Sequence, residues 1–140
     1  MSELHLSYNV EGGNFISCGQ ASEQVKRALK QLCIAPEVVR KVAIAMYEGE
    51  INMVIHADGG VADIDIGEDE IKVVLRDRGK GISDIEKAMT AGFSTATDNI
   101  REMGFGAGMG LPNMKKYSDR MKIDSTVGVG TTVTLEFDIV

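Results

Sequence analysis

Apolar residues recur along the chain with one of two periods, that of a β-strand or that of an α-helix. Each change of period marks the boundary of a predicted element. Alternation over residues 4–10 predicts a first strand. Apolar spacing near 3.6 residues predicts a helix over 17–33 and a second helix from Pro36 to 57, ended by Asp58-Gly59-Gly60. The same reasoning predicts strands at 61–67, 71–77, 121–126 and 131–139, and short helices at 85–91 and 109–119.

The order of these elements is β, α, α, β, β, α, loop, α, β, β. Strands that follow each other directly are expected to pair antiparallel, and the helices fall between such pairs. The predicted fold class is therefore α+β, a two-layer sandwich with a mixed, mostly antiparallel sheet and helices on one face. A length of 140 residues with 44% hydrophobic residues fits a single domain over 1–140.

Charge and composition narrow the possible partners and compartment. The net charge of −6 argues against nucleic acid as the main partner, and no apolar run approaches the length of a membrane span. Basic groups do occur in the first helix and near 115–122, where solvated helix faces are a sufficient explanation. The cysteines, Cys18 and Cys33, are expected to be reduced core thiols of a cytoplasmic protein, since no signal peptide is apparent.

The second helix carries a polar seam. Glu48, Asn52 and His56 recur every fourth residue and so share one side of the helix. A carboxylate and an amide one turn apart can hold a metal ion or a hydrogen-bond network, although a strip facing solvent would look the same. Glu50 falls near the centre of the apolar face, where a carboxylate needs a partner; it could be a second functional acid or could reach out at a helix crossing.

Two glycine-rich loops, DRGKGI at 77–82 and GFGAGMGLPNM at 104–114, are candidate phosphate or nucleotide loops. Neither has the Gly-Lys-Ser/Thr ending of a Walker A loop, and Met109 stands where a dinucleotide fingerprint would need its third glycine. The second loop nevertheless leads into a predicted helix, where backbone N–H groups can bind an anion. Asp77 ends an apolar strand and offers an acceptor to a ligand. A simple turn would also explain either loop taken singly.

Taken in order, these segments resemble a known family. Glu-x-x-x-Asn at 48–52, Asp-x-Gly-x-Gly at 77–81, the glycine loop before a helix and Gly-Thr-Thr at 130–132 resemble the Bergerat-type ATP-binding fold of gyrase, heat-shock chaperone, histidine-kinase and MutL-type ATPases. The resemblance covers about 36–139. Within that superfamily, GFSTA and GMGLPNMKKYSD resemble the small serine kinases of bacterial partner-switching systems, the anti-sigma-factor type.

The resemblance implies ATP and Mg²⁺ as cofactors and assigns a role to each motif. Glu48 would be the general base for an attacking serine hydroxyl, Asn52 would hold Mg²⁺, and Asp77 would accept a hydrogen bond from the adenine amino group. Residues 92–108 would form a lid. The implied nucleotide-binding residues are completed by Gly79, Gly81, Gly104, Gly106, Gly108, Met109, Gly110, Leu111 and Thr131.

The implied partners are a STAS-domain antagonist and a sigma factor or regulatory phosphatase, with a homodimer as in the anti-sigma branch. Gly106 stands where that branch often has an arginine, and Glu50 stands where the family usually has an apolar or small residue. Three hypotheses stay open: a protein-serine kinase, a nucleotide-gated binding module with little transfer, and a slow accessory ATPase. The presence of Glu48 in register with Asn52 favours the kinase.

Overall fold

The computed structural model describes residues 4–13, 18–56, 59–79 and 110–139 of the chain. The strands are β1 Leu4–Glu11, β2 Gly59–Ile66, β3 Glu70–Asp77, β4 Arg120–Thr126 and β5 Gly130–Asp138. The helices are α1 Gln20–Gln31, α2 Pro36–His56 and α3 Gly110–Tyr117. The helix predicted at 85–91 and the lid predicted at 92–108 lie outside the described residues.

The strands form one five-stranded sheet in the order β1-β2-β3-β5-β4. Each pair of neighbouring strands in that sheet is antiparallel, with Gly60 opposite Asp77 between β2 and β3. The predicted α+β class with a mostly antiparallel sheet is therefore confirmed. None of the helices in the described ranges combines the length and apolar character needed to cross a bilayer.

One face of the sheet forms the floor of the core, because side chains on a strand alternate between its two faces. The buried hydrophobic residues of the three central strands are Ala62, Ile64, Ile66, Ile71, Val73, Leu75, Val133, Leu135 and Phe137. The helices cover this face, and the largest buried side chains of α2 are Met46 and Met53. The other face of the sheet carries charged residues such as Asp63 and Arg76 and is solvated.

The buried side of α2 differs in part from the apolar face that the sequence predicts. The helical spacing of α2 predicts that Tyr47 widens this apolar face, but its side chain is 39% exposed, whereas Gly49, Glu50 and Val54 are buried. The reason is that α1 and α3 pack against α2 in addition to the sheet. The Tyr47 ring lies against Gly19 at the start of α1, where an added Cβ would stand 2.9 Å from its Cε1 atom.

Helix α1 ends in a Schellman motif with a cysteine in the position that usually belongs to glycine. The N–H of Ile34 donates to the carbonyl of Leu29 (3.1 Å), and the N–H of Cys33 donates to that of Lys30 (3.0 Å). Cys33 has a φ of 59°, a left-handed conformation that is costly for a residue with a Cβ. It is also exposed, so the expectation that both cysteines are core thiols is wrong for Cys33.

We expect Cys33→Gly to raise the free energy of unfolding by about 1 kcal/mol. Relief of the left-handed strain, about 1–2 kcal/mol, exceeds the added backbone entropy that glycine brings to the unfolded chain, about 0.5–1 kcal/mol. Urea unfolding at 25 °C measures the difference. Cys33→Ser is the matched control, because it removes the thiol and keeps the strain; equal stability of the glycine and serine variants would contradict the assignment.

Candidate functional site

Asp77, the last residue of β3, is held by the backbone on one side of its carboxylate. Its Oδ1 atom accepts hydrogen bonds from the N–H of Gly79 (3.0 Å) and the N–H of Thr131 (2.9 Å). Among the hydrogen bonds between described residues, none uses its Oδ2 atom. The described residues therefore hold the carboxylate through one oxygen and do not engage the other.

Two glycines on the neighbouring strands bring bare backbone against Asp77. A Cβ at Gly60 on β2 would collide with the carbonyl oxygen of Arg76 and stand 2.8 Å from the Cα of Asp77. A Cβ at Gly130 on β5 would collide with the carbonyl oxygen of Asp77, and the φ of Gly130 is +154°. These close approaches make the position of Asp77 depend on glycine at both neighbouring positions.

Thr131 lies beside Asp77, as the resemblance implies. The residue is buried, and its hydroxyl lies 2.8 Å from the hydroxyl of Ser125 on β4. Because the side chain is anchored to β4, the backbone N–H of Thr131 is held in place as a donor to Asp77. The β4–β5 hairpin thus supports the carboxylate of β3.

Glu48 and Asn52 are both half-buried on α2, one turn apart. Glu48 has a partner that the sequence analysis missed: the side-chain amide nitrogen of Asn113 donates to its Oε1 atom at 3.3 Å. Asn113 lies in the first turn of α3, three residues after Gly110. The available signal in the sequence was the position of Asn113 within the glycine-rich segment 104–114. His56, the third residue of the predicted seam, falls in α2, but its side chain lies outside what the structure describes.

Gly49 lies where α2 packs against both β3 and α3, the elements that carry Asp77 and Asn113. A Cβ at this position would collide with Cδ1 of Leu75 on β3 and stand 3.2 Å from the Sδ atom of Met114 on α3. Leu75 precedes Asp77 by two residues, and Met114 follows Asn113. The segment of α2 that carries Glu48 is therefore packed directly between the strand of Asp77 and the helix of Asn113.

The remaining implied nucleotide residues divide into two groups. Gly110 begins α3, and Leu111 is half-buried against the core. Gly81, Gly104, Gly106, Gly108 and Met109 lie outside the described residues, so their roles stay predictions. In the described ranges no three histidine, cysteine, aspartate or glutamate side chains come together as a metal site.

Glu50 closes the N-terminus of α1. Its side chain is 3% exposed, and its Oε2 atom accepts from the N–H of Gly19 (2.8 Å) and Ala21 (3.3 Å). Its Oε1 atom accepts from the N–H of Ser22 (3.0 Å). A helix start has N–H groups without intrahelical partners and a partial positive charge, so a buried carboxylate is well matched there. Glu50 therefore joins α2 to α1, which accounts for its position on the apolar face.

The Glu50 carboxylate also affects its neighbourhood. Burial, followed by the negative charge of Glu50, raises the pKa of the Cys18 thiol to about 11. The Cys18 thiol is therefore protonated at neutral pH, where it is a poor nucleophile.

We expect Glu50→Gln to lower the free energy of unfolding by about 2–3 kcal/mol. Glutamine lacks the negative charge that three backbone N–H groups face in the native protein, and its NH₂ group points toward one of these donors. Hydrogen bonds to charged groups contribute about 1.5–3 kcal/mol each. Urea unfolding measures the loss. Glu68→Gln, an exposed turn position, is the matched control and should stay within about 0.5 kcal/mol of wild type. Equal stability of the two variants would contradict the capping role.

Most of the chain matches a known protein family. The family model described as "Histidine kinase-, DNA gyrase B-, and HSP90-like ATPase" matches residues 34–140. The chain belongs to this ATPase family. Membership implies an ATP-binding domain and confirms the family resemblance drawn from the sequence motifs.

Named relatives of this ATPase domain point to partner switching. The chain is 34% identical over 131 residues to the anti-sigma F factor of Thermoanaerobacter sp. (strain X514), covering 87% of this chain and 88% of the relative. It is 33% identical over 97 residues to the serine/threonine-protein kinase RsbT of Bacillus subtilis (strain 168), covering 66% of this chain and 67% of the relative. These similarities support a partner-switching family.

A solved structure shares the fold. The crystal structure of the RsbU and RsbW domains of a Mycobacterium tuberculosis protein matches with a TM-score of 0.63 at 16% identity. The match covers 98% of this chain and 32% of the solved chain, so the domain spans about a third of that protein. The likeness shows that the solved chain contains the same α+β fold as the one described above.

Proposed function

We propose that this domain is an ATP-dependent protein-serine/threonine kinase of a bacterial partner-switching system. It phosphorylates a serine of a STAS-domain antagonist and so regulates a sigma factor or a downstream phosphatase. The observation that carries the proposal is the placement of Glu48: it is half-buried, oriented by Asn113, and one turn from Asn52 on the helix that packs against the strand of Asp77.

The surroundings of Asp77 fit an adenine base. The exocyclic amino group of adenine is a donor, and the Oδ2 atom of Asp77 is an acceptor without a partner among the described residues. Because Oδ1 is already engaged by two backbone N–H groups, the carboxylate is oriented before a ligand arrives. Pre-orientation of this kind lowers the entropic cost of binding.

Asn52 fits the expected role in holding Mg²⁺. Magnesium keeps several waters and is commonly bound through substrate phosphates and only one or two protein oxygens, so a single amide oxygen on α2 is a sufficient protein ligand. When bound, the ion supplies charge neutralisation at the phosphates. The glycines at 104–110 would add backbone N–H groups at the start of α3.

Glu48 fits the proton-accepting role in the transfer. The serine oxygen of the partner forms a bond to the γ-phosphorus of ATP, the bond from that phosphorus to the bridging oxygen breaks, and ADP leaves. The serine proton passes to Glu48. Asn113 occupies Oε1, and among the described residues no hydrogen bond uses Oε2, which is free to accept the proton. General-base assistance of this kind contributes about 10²–10⁴-fold to a rate.

The experiment that tests the proposed function is incubation of the purified protein with Mg-ATP and each STAS-domain protein of the same genome, followed by intact-mass measurement. We expect one partner to gain a single phosphate, located on a serine by fragmentation. ATP binding without transfer to any partner would reject the kinase. It would favour a nucleotide-gated binding module, the function suggested by the similarity to an anti-sigma F factor over 87% of the chain.

We expect Asn113→Leu to lower the turnover number of that transfer by about tenfold and to leave ATP affinity unchanged. The substitution removes the hydrogen bond that orients Glu48, and an orienting hydrogen bond to a charged group contributes about 1.5 kcal/mol or more. Asn113→Gln, which can still donate, should recover part of the rate. A loss of ATP affinity with turnover unchanged would contradict the orienting role.

A further inference from the structure

A groove runs between α1 and α2 at the end of the helical pair that is remote from Glu50. Its volume is about 460 Å³. Its floor is apolar and its rim is basic; the lining residues are Ile34, Pro36, Val39, Ala43 and Ile44, with Lys26, Lys30 and Arg40 around them. Cavities of several hundred cubic ångströms are large enough to take apolar side chains of a ligand or partner.

The charge of the groove is opposite to that of the protein. The chain has a net charge of −6, yet each charged residue lining the groove is a cation. Two arginines on the sheet, by contrast, are ion-paired: Arg76 with Asp63, and Arg120 with Asp138 at 2.6 Å. In the described ranges, no ion pair involves Lys26, Lys30 or Arg40. Like charges repel, so charge complementarity favours an anionic group bound between these three cations.

We propose that this groove docks an acidic amphipathic helix of a partner protein. The apolar face of that helix would rest on Ile34, Val39 and Ile44, and its carboxylates would face Lys26, Lys30 and Arg40. Charge complementarity selects an acidic occupant. A helix is selected because both walls are helices, whose backbone groups are already bonded; an extended peptide would bury unpaired N–H and C=O groups over an apolar floor.

The groove is separate from the ATP site but shares a helix with it. At a rise of about 1.5 Å per residue, Ile44 lies about 6 Å and Arg40 about 12 Å along α2 from Glu48. A partner held there would be attached to the helix that carries the proposed base. The docking proposal does not require kinase activity, because a nucleotide-gated binding module would use the same surface.

The test uses the intact ¹⁵N-labelled chain and two designed 15-residue peptides that place leucines on one helical face. One peptide carries glutamates beside the leucines, and the other carries lysines at the same positions. We expect the acidic peptide to shift the amide signals of the groove residues, with an affinity that weakens as salt rises. The lysine peptide should not shift them. Equal effects of both peptides, or shifts that map elsewhere, would overturn the proposal.

Charge reversal provides the second arm. Lys26→Glu/Lys30→Glu should weaken binding of the acidic peptide about tenfold or more, because attraction becomes repulsion at two positions. Lys72→Glu/Lys122→Glu, two exposed lysines on β3 and β4, is the matched control and should bind as wild type does. Unchanged affinity in the groove variant, with its amide spectrum still dispersed, would overturn the proposal.

Two further results would assign the groove to a different occupant, and either of them would overturn the proposal. A dimer seen by sedimentation that is lost on groove charge reversal would assign the groove to a second copy of this chain. Binding to vesicles with anionic lipid that shifts the groove signals, without an effect of the acidic peptide, would assign it to a membrane surface.

Discussion

Glu48→Gln is expected to lower phosphoryl transfer by about 10²–10⁴-fold while ATP affinity stays within about twofold of wild type. Glutamine matches the shape of glutamate and can still accept the hydrogen bond from Asn113, which lies 3.3 Å from Oε1. It cannot take a proton from a serine hydroxyl. The variant therefore removes one chemical property and leaves the packing of α2 in place.

The measurement is single-turnover transfer to the phosphoacceptor, read by intact mass, with ATP affinity measured separately by calorimetry. Glu68→Gln, in the exposed β2–β3 turn, is the control. Transfer at the wild-type rate by Glu48→Gln would show that Glu48 is not the base. Glu50 would not then be the obvious replacement, because its two oxygens already accept three backbone N–H groups of the α1 start.

Asp77→Asn is expected to weaken ATP binding about a hundredfold while the domain stays folded. The Oδ1 atom of asparagine can still accept from the N–H groups of Gly79 and Thr131, so the β3–β5 contact is preserved. The second oxygen, however, becomes an NH₂ donor facing the adenine amino donor. Loss of a hydrogen bond to a charged acceptor, with two donors left opposed, costs about 3 kcal/mol.

Calorimetric titration with ATP measures the change, and the melting temperature checks that the fold is kept. Asp65→Asn, on the solvated face of the sheet, is the matched control and should bind ATP as wild type does. Full ATP affinity in Asp77→Asn would contradict the adenine assignment, whereas loss of the folded state would show that Asp77 acts mainly in strand pairing.

The sequence predicted the positions of the helices and strands well, because the residue patterns that define them are local. Alternation and helical spacing located the eight elements that the structure describes, with ends that differ by only a few residues. The sequence predicted the strand order only in part. Strands that follow each other in the chain pair as predicted, but the position of β5 between β3 and β4 depends on tertiary contacts. The motif pattern was specific enough to identify the ATPase family without any of these contacts.

The candidate site was predicted in part, and the missing parts depend on residues far apart in the chain. Glu50 had no explanation in the sequence because its partners, the N–H groups of Gly19, Ala21 and Ser22, lie 28–31 residues earlier. The donation of Asn113 to Glu48 spans 65 residues, and no periodicity within one helix can show such a pair. Tyr47 was misassigned to the buried face because the position of α1 decides which side of α2 is open.

The measurement that tests the central claim most directly is the affinity of the wild-type protein for ATP and for ITP, compared with that of Asp77→Asn. Hypoxanthine carries an oxygen where adenine carries its amino group, so the Oδ2 atom of Asp77 would face an acceptor. The account predicts that wild type prefers ATP by about a hundredfold or more and that Asp77→Asn loses this preference. Equal affinity of wild type for the two nucleotides would contradict adenine recognition by Asp77.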